Sequence, residues 1–178
     1  GYSSDDLIGK DGIEASMEDK LRGTDGVKSI LVNSAGDYIE TISETEPVAG
    51  QDVYLTIDSA LQKVAEKSLK NCIKAVQTGG IFKSKYGNRT MRRYANCKSG
   101  AVVAIDVETG DVLAMASYPD FDPNLFAEGI STKDWASVQS TNPRDPLAPT
   151  PLYNIATSSA VQPGSTFKPI TAVAALQC

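Results

Sequence analysis

A chain of 178 residues with 41% hydrophobic and 22% charged residues is long enough for one compact domain or parts of two, and its balance excludes a disordered or collagen-like polymer. Its net charge of −5 does not advertise a nucleic-acid partner. It contains no His, so no Ser-His-Asp or Cys-His mechanism is confined to these residues, and any nucleophile here needs another base. No run of eighteen apolar residues is present to span a bilayer. With neither an initial Met nor a signal-peptide pattern at Gly1, the chain reads as a fragment, and its ends do not give its location.

Residues 1–49 are polar and punctuated by glycine. "DGIEASMEDKLRG" predicts a short helix ended by Gly23, and "GVKSILVNSAGDYIETIS" a hairpin turning at Asn33–Asp37. One helix and one hairpin bury little, so this stretch is expected to be a partial module, with a second unit over 50–178. There a short strand is expected over Val53–Ile57, leading to Asp58 as a helix N-cap. Leu61, Val64, Ala65, Leu69, Cys72, Ile73 and Val76 then recur at helical spacing, which predicts an amphipathic helix with Cys72 as a buried structural thiol.

The next segment, 77–98, carries Lys83, Lys85, Arg89, Arg92, Arg93 and Lys98 within an acidic chain. It reads as a solvated surface loop, with contact to an anionic polymer or lipid headgroup as the functional alternative. "GAVVAIDVETGDVLAMASYP" predicts a hairpin whose first strand, Ala101–Val107, is apolar enough to be central with both faces covered. Asp120 and Asp122 have the spacing of a metal pair, but Asp beside Pro in a turn accounts for them. Residues 131–151 read as a Pro-rich loop with one helical stretch around Trp135.

The stretch "SAVQPGSTFKPITAVAALQ" places Ser165 and Lys168 three residues apart at a helix start. A serine hydroxyl is a weak nucleophile that needs a base, and a neutral lysine amine can serve. Positions i and i+3 share a helix face, with Cβ atoms about 5–6 Å apart. The positive end of the helix dipole disfavours a second cation and favours an alkoxide and an acyl-transfer oxyanion. Pro169 cannot donate to the Ser165 carbonyl, which holds Ser165 in the first turn. Ile170, Val173, Ala174 and Leu176 are expected to sink the helix body into a core. Ser-x-x-Lys alone is a weak signal; Gly before it, Phe within it, and Pro and an Ala-rich helix after it make a strong one.

"PGSTFK", with "GAVVAIDVETGDVLAMASYPDFDPN" upstream, resembles the class B penicillin-binding proteins. "LTIDSALQKVAE", "PLYNIAT" and the early "GKDGIEASMEDKLRG" extend the likeness over nearly the whole chain. Its subtype is similar to the elongation or sporulation type of Gram-positive bacteria. The resemblance implies an α/β fold, an antiparallel sheet flanked by helices on both faces with the Ser165 helix central, beside part of a pedestal module. It implies a peptidoglycan D,D-transpeptidase in which Ser165 attacks a D-Ala-D-Ala stem peptide and Lys168 is the general base. The backbone N–H of Ser165 would serve the oxyanion hole. β-Lactam antibiotics would acylate Ser165.

The family also uses Ser-x-Asn and Lys-Thr-Gly or Lys-Ser-Gly motifs downstream, and neither follows Lys168 here, so the chain alone is expected to be inactive. The implied partners are peptidoglycan stem peptides and an elongation-type glycosyltransferase, at the outer face of the cytoplasmic membrane through an anchor before Gly1. No cofactor is implied. Cys97 and Cys178 are candidate zinc ligands together with groups outside these residues. Two other readings share the tetrad or the fold: a class D β-lactamase or β-lactam sensor domain, and a non-catalytic cell-wall scaffold.

Overall fold

The computed structural model describes residues 8–127, 129–145 and 148–177. The chain divides into two units, Gly1–Leu55 and Thr56–Cys178. In the first, α1 (Gly12–Ser16) and α2 (Glu18–Leu21) replace the single helix expected there. The helix breaks at Met17, which leaves helical geometry (φ −116°, ψ 15°), while the Glu18 carboxylate accepts from the Gly9 N–H at 2.7 Å. Strands β1 (Val27–Val32) and β2 (Tyr38–Thr45) form the antiparallel hairpin. Asn33 fixes its turn, because its Oδ1 accepts from both the Ala35 and Asp37 N–H groups at 2.9 Å. None of the described residues of these four elements is buried.

The second unit is organised by α3 (Ser59–Thr78), whose N-cap Asp58 accepts from the Leu61 N–H at 2.7 Å. Val53–Ile57 is not a strand. Thr56 Oγ1 donates to the Val112 carbonyl, and the Asp58 N–H to that of Leu113. The buried face of α3 is narrower than its apolar pattern: Ala65, Leu69 and Ile73, an i, i+4, i+8 stripe. Cys72 lies off that stripe and is exposed, which corrects its reading as a buried thiol.

The basic segment is a loop only over residues 92–98. It forms a second antiparallel hairpin, β3 (Gly80–Ser84) and β4 (Gly87–Met91). A third pairs β5 (Gly100–Ile105) with β6 (Val112–Tyr118). Ala114 and Ala116 point to one face of β6 and join Ala65, Leu69 and Ile73 in the core. The alternate residue Ser117 points to the other face, where its Oγ donates to Asn154 Oδ1 at 2.9 Å and accepts from the Ala156 N–H at 3.1 Å. Helix α5 (Ile155–Ser158) is thereby fixed opposite α3, so helices cover both faces of this sheet. Between them in sequence lie a 3-10 turn, Pro123–Phe126, and α4 (Thr132–Val138), joined by edge-on contacts of Phe126 with Phe121 and Trp135.

Two burial expectations fail. Among the described residues β5 pairs only with β6, and Val102, Val103 and Ile105 stay exposed. The final helix α6 (Lys168–Gln177) is not central and not buried: Ile170, Val173 and Leu176 are 58%, 55% and 87% exposed. Among the described residues the main neighbour of α6 is the turn that precedes it, so its apolar side chains meet no packed surface.

Candidate active site

Ser165 lies in a 3-10 turn, Gly164–Phe167, that runs directly into α6. Gly164 enters it at φ +56°, a left-handed conformation that costs a side-chain-bearing residue about 1–2 kcal/mol. Thr166 ties the turn back to Pro163, whose carbonyl accepts from both the Thr166 N–H and its hydroxyl. The Lys168 N–H donates to the Ser165 carbonyl. This i+3 bond satisfies the oxygen that Pro169, having no N–H, leaves free. The proline thus selects the tighter turn at the point where an α-helical bond is impossible.

A 3-10 turn has three residues per turn, so positions i and i+3 eclipse. Ser165 and Lys168 stand one above the other, both exposed to solvent. Among the described residues, neither side chain makes a hydrogen bond or an ion pair, with the other or with any third group. The Ser165 N–H is likewise without an acceptor, as befits the first turn of a helix. The turn therefore offers a hydroxyl, an amine one turn later and a free N–H beside the hydroxyl.

Of the two candidate zinc ligands, one lies within the described residues. Cys97 is half-buried and packs against the Ala65–Ile73 core, its carbonyl accepting from Gln77 Nε2 at 2.7 Å. Cys178 lies outside the described residues. Among the described residues no group of three His, Cys, Asp or Glu could hold a metal. The Asp122 carboxylate caps the 3-10 turn after it, accepting from the Asn124 N–H at 2.9 Å.

A contact that no motif announced holds the sheet to α3. Gln62 Nε2 donates to the Met115 carbonyl and Gln62 Oε1 accepts from the Met115 N–H, both at 2.8 Å. A side-chain amide here makes the two bonds that a neighbouring strand would make. The only sequence signal was a polar residue at the edge of the apolar stripe.

Residues 100–178 match the penicillin-binding protein transpeptidase domain, and residues 1–55 match the penicillin-binding protein dimerisation domain. The chain is 35% identical to the peptidoglycan D,D-transpeptidase MrdA of Acinetobacter baumannii, over 98% of this chain and 21% of that protein. It is 39% identical to MrdA of Escherichia coli, over 98% of this chain and 23% of that one. It thus spans about a fifth to a quarter of these relatives. Among solved structures, one of a peptidoglycan synthase complex that coordinates polymerization and crosslinking matches with TM-score 0.72 and 37% identity, over 99% of this chain and 28% of that one. The penicillin-binding protein PBP2 of Helicobacter pylori, in complex with MreC, matches with TM-score 0.60 and 26% identity, over 96% of this chain and 26% of that one.

Proposed function

The chain belongs to the class B penicillin-binding proteins, and from that premise we propose that it is the serine-bearing part of a peptidoglycan D,D-transpeptidase. The observation that carries this reading is the 3-10 turn that eclipses exposed Ser165 and Lys168 beside an unpaired Ser165 N–H, within the stretch matching the transpeptidase domain.

In the proposed reaction Lys168 Nζ, as a neutral amine, takes the Ser165 hydroxyl proton as Oγ attacks the carbonyl carbon of the D-Ala-D-Ala amide. The carbonyl π pair moves onto oxygen, and the Ser165 N–H donates to that oxyanion. Collapse breaks the C–N bond. The terminal D-Ala leaves as an amine with the proton returned by Lys168, and an ester on Ser165 remains. An acceptor amine from a neighbouring strand then attacks the ester carbonyl and gives a proton to Lys168; the new amide forms, the ester C–O bond breaks, and Lys168 returns that proton to Ser165 Oγ. A β-lactam enters by the same first step, but its opened ring stays attached as the amine leaving group. The further electrostatic groups belong to the Ser-x-Asn and Lys-Thr-Gly elements, so acylation is expected only with those segments present.

A location outside the cytoplasmic membrane follows from this substrate. Among the described residues no helix is long and apolar enough to cross a membrane. A glycosyltransferase of peptidoglycan synthesis and an MreC-like protein are the proposed partners, because the structural neighbours include a peptidoglycan synthase complex and a complex with MreC.

Labelling with a fluorescent penicillin, in a protein that carries these residues and the downstream motifs, tests the reading. A stable one-to-one adduct is expected. Rapid turnover of the penicillin would instead assign a β-lactamase, and absence of any adduct a non-catalytic scaffold.

A further inference from the structure

The basic hairpin has no part in that chemistry. Residues 77–98 hold six Lys and Arg and no Asp or Glu, in a chain whose net charge is −5. The hairpin is firmly mounted. The Tyr94 N–H donates to the Val76 carbonyl at 2.9 Å, and Gln77 Nε2 donates to the Cys97 carbonyl at 2.7 Å. Arg93 Nε donates to the Gln77 carbonyl at 3.3 Å, which places one cation at the negative end of α3. Among the described residues, none of the other five cations has an acidic partner.

Above this base both faces are open. Pairing of Phe82 with Arg89, and of Lys83 with Asn88, puts Phe82 and Arg89 on one face and Ile81 and Lys83 on the other. Ile81 is 66% exposed and Phe82 49%. At the tip Tyr86 is 86% exposed, with Lys85 Nζ 4.8 Å from its ring centre. Charged residues on a free strand edge also serve to block strand pairing. That role accounts for lysines, but not for an isoleucine, a phenylalanine and a tyrosine left in water beside them.

We propose that the tip of the β3–β4 hairpin docks on the surface of an anionic lipid bilayer. Each face carries a cation and an apolar side chain, and an aromatic residue ends the finger. A flat acidic patch on a protein would meet one face only. A headgroup layer surrounds the tip, places phosphates against both faces, and accepts a tyrosine at its own depth. Each Lys or Arg at such a surface strengthens binding about fivefold, within a screening length of about 10 Å. The proposal does not depend on Ser165 chemistry.

The test is cosedimentation of this chain with phosphatidylcholine vesicles, with and without phosphatidylglycerol, at low and high salt. The chain is expected to bind only the vesicles containing phosphatidylglycerol, and more weakly as salt rises. The K83Q/K85Q/R89Q variant should bind about a hundredfold more weakly, and Y86S severalfold more weakly. K63Q/K67Q/K70Q removes the same charge from exposed positions of α3 and should bind like the parent. Equal weakening by the two triple variants would overturn the proposal, since net charge alone would then explain the binding. So would equal binding to pure phosphatidylcholine. Equal affinity for soluble polyglutamate, without loss in Y86S, would overturn it in favour of an acidic polypeptide.

Discussion

Ser165 and Lys168 owe their relation to a change of helix type. Pro169 denies the Ser165 carbonyl an α-helical donor, Lys168 supplies a 3-10 bond instead, and the two side chains eclipse. Replacing Lys168 by Ala is expected to slow penicillin acylation about 10²–10⁴-fold, the usual worth of a general base, while the far-UV spectrum stays unchanged. Lys168→Arg should not restore the rate, because a guanidinium keeps its proton. Stopped-flow labelling measures both. Gly79→Ala is a separate residue-scale prediction: at φ +68° its new Cβ would meet the Arg93 nitrogen at 2.8 Å. A loss of at least about 1–2 kcal/mol is expected in denaturant unfolding. The placing of Ser165 and Lys168 at a helix start was legible because its cues are local: Gly before, three-residue spacing, Pro after. The 3-10 turn was not, because it arises from the proline's missing donor combined with the Thr166 bonds to Pro163. Cys72 was misplaced because period alone does not give the width of a buried face.

At the scale of elements, α3 and β6 hold the second unit together. Leu69 joins Ala114 and Ala116 in the core, so Leu69→Ala is expected to cost about 2–3 kcal/mol. Gln62→Ala removes both bonds to Met115 and leaves a half-buried N–H and C=O without partners, for a loss of about 1–3 kcal/mol. Urea unfolding of each variant checks these values. The three strand pairs differ in how well they announce themselves. The turns at Asn33–Asp37 and Glu108–Gly110 carry Asn, Asp and Gly, and both hairpins were readable. The β3–β4 turn is Lys85-Tyr86, without the Asn-Gly or Asp-Gly signature of a two-residue hairpin, and so it read as loop.

For the whole molecule, the contrast lies between a core centred on α3 and a final helix left in solvent. The apolar pattern of α6 correctly marks a helix, but pattern alone does not supply the surface that would cover it. Val173→Ser is therefore expected to change the stability of this chain by less than about 0.5 kcal/mol, far less than Leu69→Ala. The most direct test of the central claim is mapping of the acylated residue. A protein that carries these residues and the downstream motifs is incubated with penicillin, its intact mass is measured, and its peptides are sequenced by mass spectrometry. One penicilloyl group on Ser165, absent from Ser165→Ala, is the predicted result. An adduct on any other residue, or one that survives Ser165→Ala, would contradict the assignment of Ser165 as the nucleophile.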